Sequence, residues 1–201
     1  MSGPNVTAVA EKVFGPSEDK RPAGWGGDNP EKWDYTLEMA NYVERLRDYE
    51  NEARTGRDKF TGDWTPHDSP EGGTKTVGYG HKLSDTDDPD RQYTDAEVEK
   101  MFMSDLFNAY RTSYNKYSNR GHDWEQLSNE DKIILTELQF NTGGGGEDSL
   151  MEQSMKALSG KDYHELEAIV NKRGYKDEND NFTPLTTRNE GIIDTYISPY
   201  K

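Results

Sequence analysis

The chain has 201 residues, 39 acidic against 24 basic side chains, a formal net charge of −15 and no cysteine. Such a surface repels nucleic-acid backbones and anionic lipid, and the missing thiols exclude disulfides and cysteine-based metal sites. Aliphatic residues are sparse, as in chains that stay unfolded, but 12 Tyr, 6 Phe and 4 Trp add buriable area, so a folded, small-cored domain is expected.

No apolar run approaches the roughly 20 residues of a membrane span. Residues 1–10 lack a basic stretch followed by an apolar one, so no export signal is expected. Residues 1–33 carry Pro4, Pro16, Pro22 and Pro30 and a Gly-Trp-Gly-Gly cluster, and read as an N-terminal extension to a domain spanning residues 34–201. Within the extension, Trp25 and Trp33 are expected to pack against the main body.

From Asp34, Met39, Val43, Leu46 and Ala53 recur at helical spacing. Phe60 to Trp64 and Thr74 to Tyr79 read as strands, joined by the turn-rich segment His-Asp-Ser-Pro-Glu-Gly-Gly. Thr94-Asp95-Ala96-Glu97 is a capping box that opens a long helix reaching about Tyr117, with Met101, Phe102, Leu106, Ala109 and Tyr110 as its apolar face. Ser128 to Asp131 begins another helix, whose Ile133, Ile134, Leu135, Leu138 and Phe140 wrap most of its circumference and demand deep burial. Gly143 ends it, and the run from Gly143 to Gly146 reads as a terminator and loop rather than a phosphate cradle, since no Lys follows. Helices over Ser149–Leu158, Tyr163–Arg173 and Pro184–Tyr196 complete the plan, the first two closed by Gly160 and Gly174. The expected class is α+β: a mainly helical bundle, a small β-hairpin lobe and a cleft between them.

One carboxylate is out of place on the first helix. At about 100° per residue, Glu50 lies within about 40° of Met39, Val43 and Leu46, whereas Glu44, Arg45, Asp48 and Glu52 fall on the opposite side. A carboxyl aimed at the apolar face is desolvated, which raises its pKa toward what a general acid needs, unless it is paired, with Arg47 or Arg188 as the candidate partners. A second carboxylate flanking a cleft would come from the hairpin region, where Asp58, Asp63, Asp68 and Glu71 are candidates, although acidic residues in turns are commonly turn formers. Two carboxyls across a cleft are the minimum set for cleaving a glycosidic bond. His67 and His81, with Asp68 and Asp85, do not have the spacing of a metal site, and the residues alone give His81 a structural role.

These features together are similar to a known family. The helical Glu in LRDYENEA, then an Asp, then TVGYGH resemble the phage-type lysozymes of glycoside hydrolase family 24, muramidases of tailed bacteriophages. Downstream, LQFNTG resembles the end of that family's buried central helix, and PLTTRNEGI resembles its closing Gly-Leu-x-x-Arg-Arg-x-x-Glu segment in degraded form. The resemblance runs from about Tyr35 to Ile197.

It implies a lysozyme-like α+β fold and hydrolysis of the β-1,4 bond between N-acetylmuramic acid and N-acetylglucosamine in peptidoglycan, with no cofactor. Carried over, Glu50 is the catalytic acid and Asp68 and Thr76 position the attacking water. Asp68 lies farther from Thr76 than the family's usual spacing, which leaves Asp63 as the alternative. Gly78, Tyr79, His81 and Asn141 are expected to face the sugar chain, the glycines letting a thin turn approach it closely. The expected partner is bacterial peptidoglycan, with no nucleic acid and no membrane. A phage-encoded enzyme without an export signal is made in the host cytoplasm and acts on the wall as a released endolysin or from the virion, where residues 1–33 would meet other virion proteins. The rival readings are a non-enzymatic phage structural protein that kept the fold, favoured by the Asp spacing and by Thr187-Arg188-Asn189-Glu190, and a lytic transglycosylase, which needs the acid but not the Asp.

Overall fold

The computed structural model describes residues 37–51, 55–69, 75–85, 87–142, 149–176 and 181–201. The N-terminal extension with Trp25 and Trp33, Glu52 and Ala53, the turn carrying Glu71, Gly72 and Gly73, and the run from Gly143 to Gly146 lie outside the described residues.

Helix α1, Leu37–Asn51, buries Met39, Tyr42, Val43 and Leu46 along the stripe the sequence indicates. Helix α2, Asp95–Asn119, begins on the expected capping box: the Thr94 side chain accepts from the Glu97 N–H and the Glu97 carboxylate accepts from the Thr94 N–H. Helix α3, Asn129–Thr142, starts on a matching reciprocal pair between Ser128 and Asp131. Its Ile133, Ile134, Leu135 and Leu138 are all completely buried, each contributing about 2 kcal/mol of apolar burial. Helices α4, Leu150–Ser159, and α5, Tyr163–Val170, are capped by Ser149 and Asp162, and Gly160 closes α4 as expected. Helix α6, Thr186–Ile192, runs on through a wider π turn, Ile193–Ile197, and a 3-10 turn, Ser198–Tyr200. Helices α1 to α6 and the π turn share one core in which α3 is central, packing on α1, α2, α4 and the π turn.

The β lobe is a three-stranded antiparallel sheet in the order β1 (His67–Asp68), β2 (Lys75–Val77), β3 (His81–Lys82). His67 stands opposite Thr76 and Asp68 opposite Lys75. Between β2 and β3 the chain turns through Gly78 and Gly80, with φ of +65° and +86°. At Gly78 a β-carbon would come within 2.1 Å of Val98, so only glycine lets this turn lie on α2. A second, smaller core of Trp64, Val77, Leu83, Tyr93 and Val98 holds the lobe. Trp64 and Tyr93 exchange both backbone hydrogen bonds, and the Trp64 indole N–H donates to Asp95 at the start of α2. The lobe is thereby tied to the helix that forms one wall of the cleft.

Three expectations about elements are corrected. Phe60–Trp64 is a turn, not a strand: the Asp58 carboxylate accepts from the N–H groups of Phe60 and Thr61, Gly62 has φ +81°, and Phe60 is almost fully exposed. Gly174 does not cap a helix but begins β4, Gly174–Lys176, which pairs with β5, Phe182–Pro184. The Phe182 ring occupies the place a β-carbon at Gly174 would take. Pro184 therefore ends a strand, and α6 starts two residues later.

Candidate active site

Between the β lobe and the helices lies a cleft of about 970 Å³. Glu50 enters it from the last turn of α1, Asp68 and Thr76 from the sheet, His81 from β3, Asp105 from α2, and Arg188 from α6. The structure thus brings Glu50, Asp68, Thr76, Gly78, His81 and Asn141 to one cavity.

Tyr79 does not line it. Its ring packs between Trp64 of the lobe core and Phe102 of α2, at centroid distances of 5.6 and 5.0 Å, so it bridges the two cores instead of facing the cleft. Asp58 and Asp63 do not line it either: both belong to the 58–63 turn, where the Asp58 N–H donates to the Asp63 carbonyl. Asp68 is the carboxylate of the described hairpin region that borders the cleft, and it is exposed. Thr76 is buried, and its cross-strand neighbour His67 reaches the cleft on the same face.

Glu50 is largely buried, and its Oε1 accepts from Arg188 Nη1 at 2.5 Å. Burial raises its pKa, the charge and hydrogen bond of Arg188 oppose the rise, and the outcome is a carboxyl held above the usual range. Arg188, not Arg47, is the partner; Arg47 is taken by Glu44 and Glu99. Above Glu50 stands the β2–β3 turn, with Gly80 close to Oε2.

Behind Arg188 lies a group the sequence reading missed. Glu137, almost wholly buried on α3, accepts from the Tyr42 hydroxyl at 2.6 Å, from Arg173 Nη2 at 2.6 Å, from Arg188 Nε at 2.5 Å and from the Asn141 amide at 3.0 Å. Burial pushes its pKa up, but the guanidinium charges of Arg188 and Arg173 outweigh this and hold it far below the usual carboxylate range. Asn141, expected to face sugar, lines the cleft while its amide is engaged by Glu137. The signal for Glu137 was present: a charge within a helix that is apolar nearly all round must find cations.

His81 has a partner as well. Its Nδ1 lies 2.7 Å from the Asp105 carboxylate, and that hydrogen bond raises the imidazole pKa. Among the described residues no cluster of His, Cys, Asp and Glu has the arrangement of a metal site.

Chemically, the cleft offers a largely buried carboxyl whose pKa burial raises, together with a lobe that carries a solvent-exposed carboxylate and a hydroxyl. That is the division of labour between an acid and a water-directing or charge-stabilising group. Set against models of protein families, curated proteins and solved structures, the chain matches none of them.

Proposed function

We propose that this protein is a peptidoglycan hydrolase of the phage-lysozyme kind, a muramidase with a lysozyme-like α+β fold. The observation that carries the reading is the desolvated Glu50 sharing one cleft with Asp68 and Thr76. The helical wheel points to Glu50, and the phage-lysozyme resemblance points to all three.

In this reading Glu50 protonates the glycosidic oxygen as the bond to N-acetylmuramic acid breaks. Asp68 and Thr76 hold the attacking water and stabilise the cationic transition state. Arg188 keeps Glu50 oriented, and its charge opposes the rise that burial imposes on the acid. The reaction proposed for these residues uses no cofactor. The wall of a phage's bacterial host is the substrate, reached by a released endolysin or from a virion, with residues 1–33 as the segment that would meet virion partners.

Digestion of purified peptidoglycan tests this. Release of fragments with reducing muramic-acid ends is the expected result. Anhydro-muramic ends would make the protein a lytic transglycosylase, and no release would leave the structural reading.

A further inference from the structure

Arg188 serves two carboxylates at once. Its Nε donates to Glu137 and its Nη1 to Glu50, both at 2.5 Å, while its Nη2 is buried with no hydrogen-bond partner among the described residues. A guanidinium free to turn would offer Glu50 two parallel N–H donors, the strongest arrangement an Arg and a carboxylate can make. Glu137 holds the Nε edge, and in the orientation this sets Glu50 receives one N–H, from Nη1. Glu137 is itself fixed on three further sides by Tyr42, Arg173 and Asn141.

We infer that Glu137 is a positioning residue for Glu50: by claiming the Nε edge of Arg188 it limits Glu50 to a single N–H contact, and so keeps that carboxyl able to hold a proton. This deepens the muramidase reading and rests on it for the role of Glu50, but the coupling between the two carboxylates is a property of the fold and is measurable without substrate.

Two effects act in the same direction. Glu137 draws positive charge away from Glu50, and its own negative charge disfavours ionisation there. The other titratable groups that share the cleft with Glu50 are Tyr49 on its own helix, Arg173 ahead of β4, and His67, Asp68, His81, Lys82 and Asp105 from the lobe and α2. None of these grips Arg188 by the Nε edge.

The test is a carbon-13 NMR titration of the Glu50 side-chain carboxyl, its resonance assigned by its loss in Glu50→Gln. Glu137→Gln keeps an oxygen facing both guanidiniums, so the fold can survive, but a neutral acceptor holds the Nε edge far more weakly than a carboxylate and no longer draws the Arg188 charge away from Glu50; its new amide faces the Tyr42 oxygen, which can turn to accept. In this variant the Glu50 midpoint should fall by about one pH unit or more. Glu137→Asp, which keeps the charge, should leave it within a few tenths of a unit of the wild-type value. An unmoved midpoint in folded Glu137→Gln overturns the inference.

If Glu137→Gln does not fold, Arg188→Lys asks the same question. One ammonium cannot serve both carboxylates and should stay with the deeper Glu137, so the Glu50 midpoint should rise; a fall or no change overturns the inference. Should the midpoint move as stated in a protein that releases nothing from peptidoglycan, the coupling stands and the muramidase reading fails.

Discussion

Gly80 and Glu50 meet across the cleft: a β-carbon at Gly80 would lie 3.4 Å from Glu50 Oε2. Gly80 also has φ +86°, where a side chain costs about 1–2 kcal/mol. Gly80→Ala should therefore lower the melting temperature by about 2–8 °C. It should lower peptidoglycan turnover by a larger factor than this loss of stability explains, because the methyl group sits where substrate must approach the acid. Thermal melts and initial rates on the same preparation separate the two effects.

Glu50→Gln should abolish release of muropeptides. Its effect on stability should be small, within about 1 kcal/mol, because one buried charge is removed while Arg188 keeps Glu137 as its counter-charge. Asp68→Asn should be severe and Asp63→Asn mild, since Asp68 lines the cleft and Asp63 belongs to the neighbouring turn. Chromatography of soluble fragments reads all three, and an active Glu50→Gln enzyme would remove Glu50 from the acid role.

If Glu50 is the acid proposed above, it must be protonated to act, so activity should fall as pH rises through the Glu50 pKa, which burial raises. The basic limb of the pH–rate curve should accordingly lie above the ordinary carboxylate range. Arg188→Gln should move that limb to still higher pH, because the charge and hydrogen bond that oppose the rise are removed. Leu46, one turn before Glu50, is a poor lever for this test: it is completely buried, and a polar replacement would cost about 3 kcal/mol or more of folding stability before it tuned the acid.

His81 and Asp105 set a second pH dependence, in stability. Hydrogen bonding to Asp105 raises the folded-state pKa of His81 above the unfolded value. The pair's contribution is therefore fully present below about pH 6.5 and is lost as pH rises through the raised folded pKa. Denaturation midpoints of the wild type should decline across that window, and Asp105→Asn should flatten the decline. A decline unchanged in the variant would assign it to other groups.

On the muramidase reading, a chain of net charge −15 would meet an anionic cell wall against long-range repulsion. Turnover of intact wall should rise as salt is added up to about 0.1–0.2 M, where the Debye length shrinks to about 8–10 Å. A steady fall from low salt upward would show that a local basic patch governs the approach.

What the sequence discloses and what it hides divide along the range of the interactions. Thr94, Ser128 and Ser149 mark their helices because a cap bonds within three residues of itself. Glu50 is visible because it shares the side of the wheel that carries Met39, Val43 and Leu46. Phe60–Trp64 misleads because its aromatic and Thr residues suit a strand, whereas the Asp58 turn and Gly62 decide the backbone. Tyr79 misleads because a turn between two glycines gives no sign of which side its middle residue takes. Glu137 could be suspected from its apolar helix, but its partners and those of Asp105 stay hidden because they lie far along the chain: Tyr42 is 95 residues from Glu137, and His81 is 24 from Asp105.

The ion network at the cleft works as a clasp between distant parts of the chain. Glu50 reaches Arg188 across 138 residues and Glu137 reaches Arg188 across 51, so the last helix supplies the cation that the first and the central helix both need. A folding intermediate that packs α1 on α3 before α6 docks carries Glu137 and Glu50 without that cation, and such a state is penalised rather than trapped. The proton-holding geometry of Glu50 consequently comes into being only with complete chain closure, and cleavage competence should appear in refolding experiments with the final, slowest phase rather than with the first collapse.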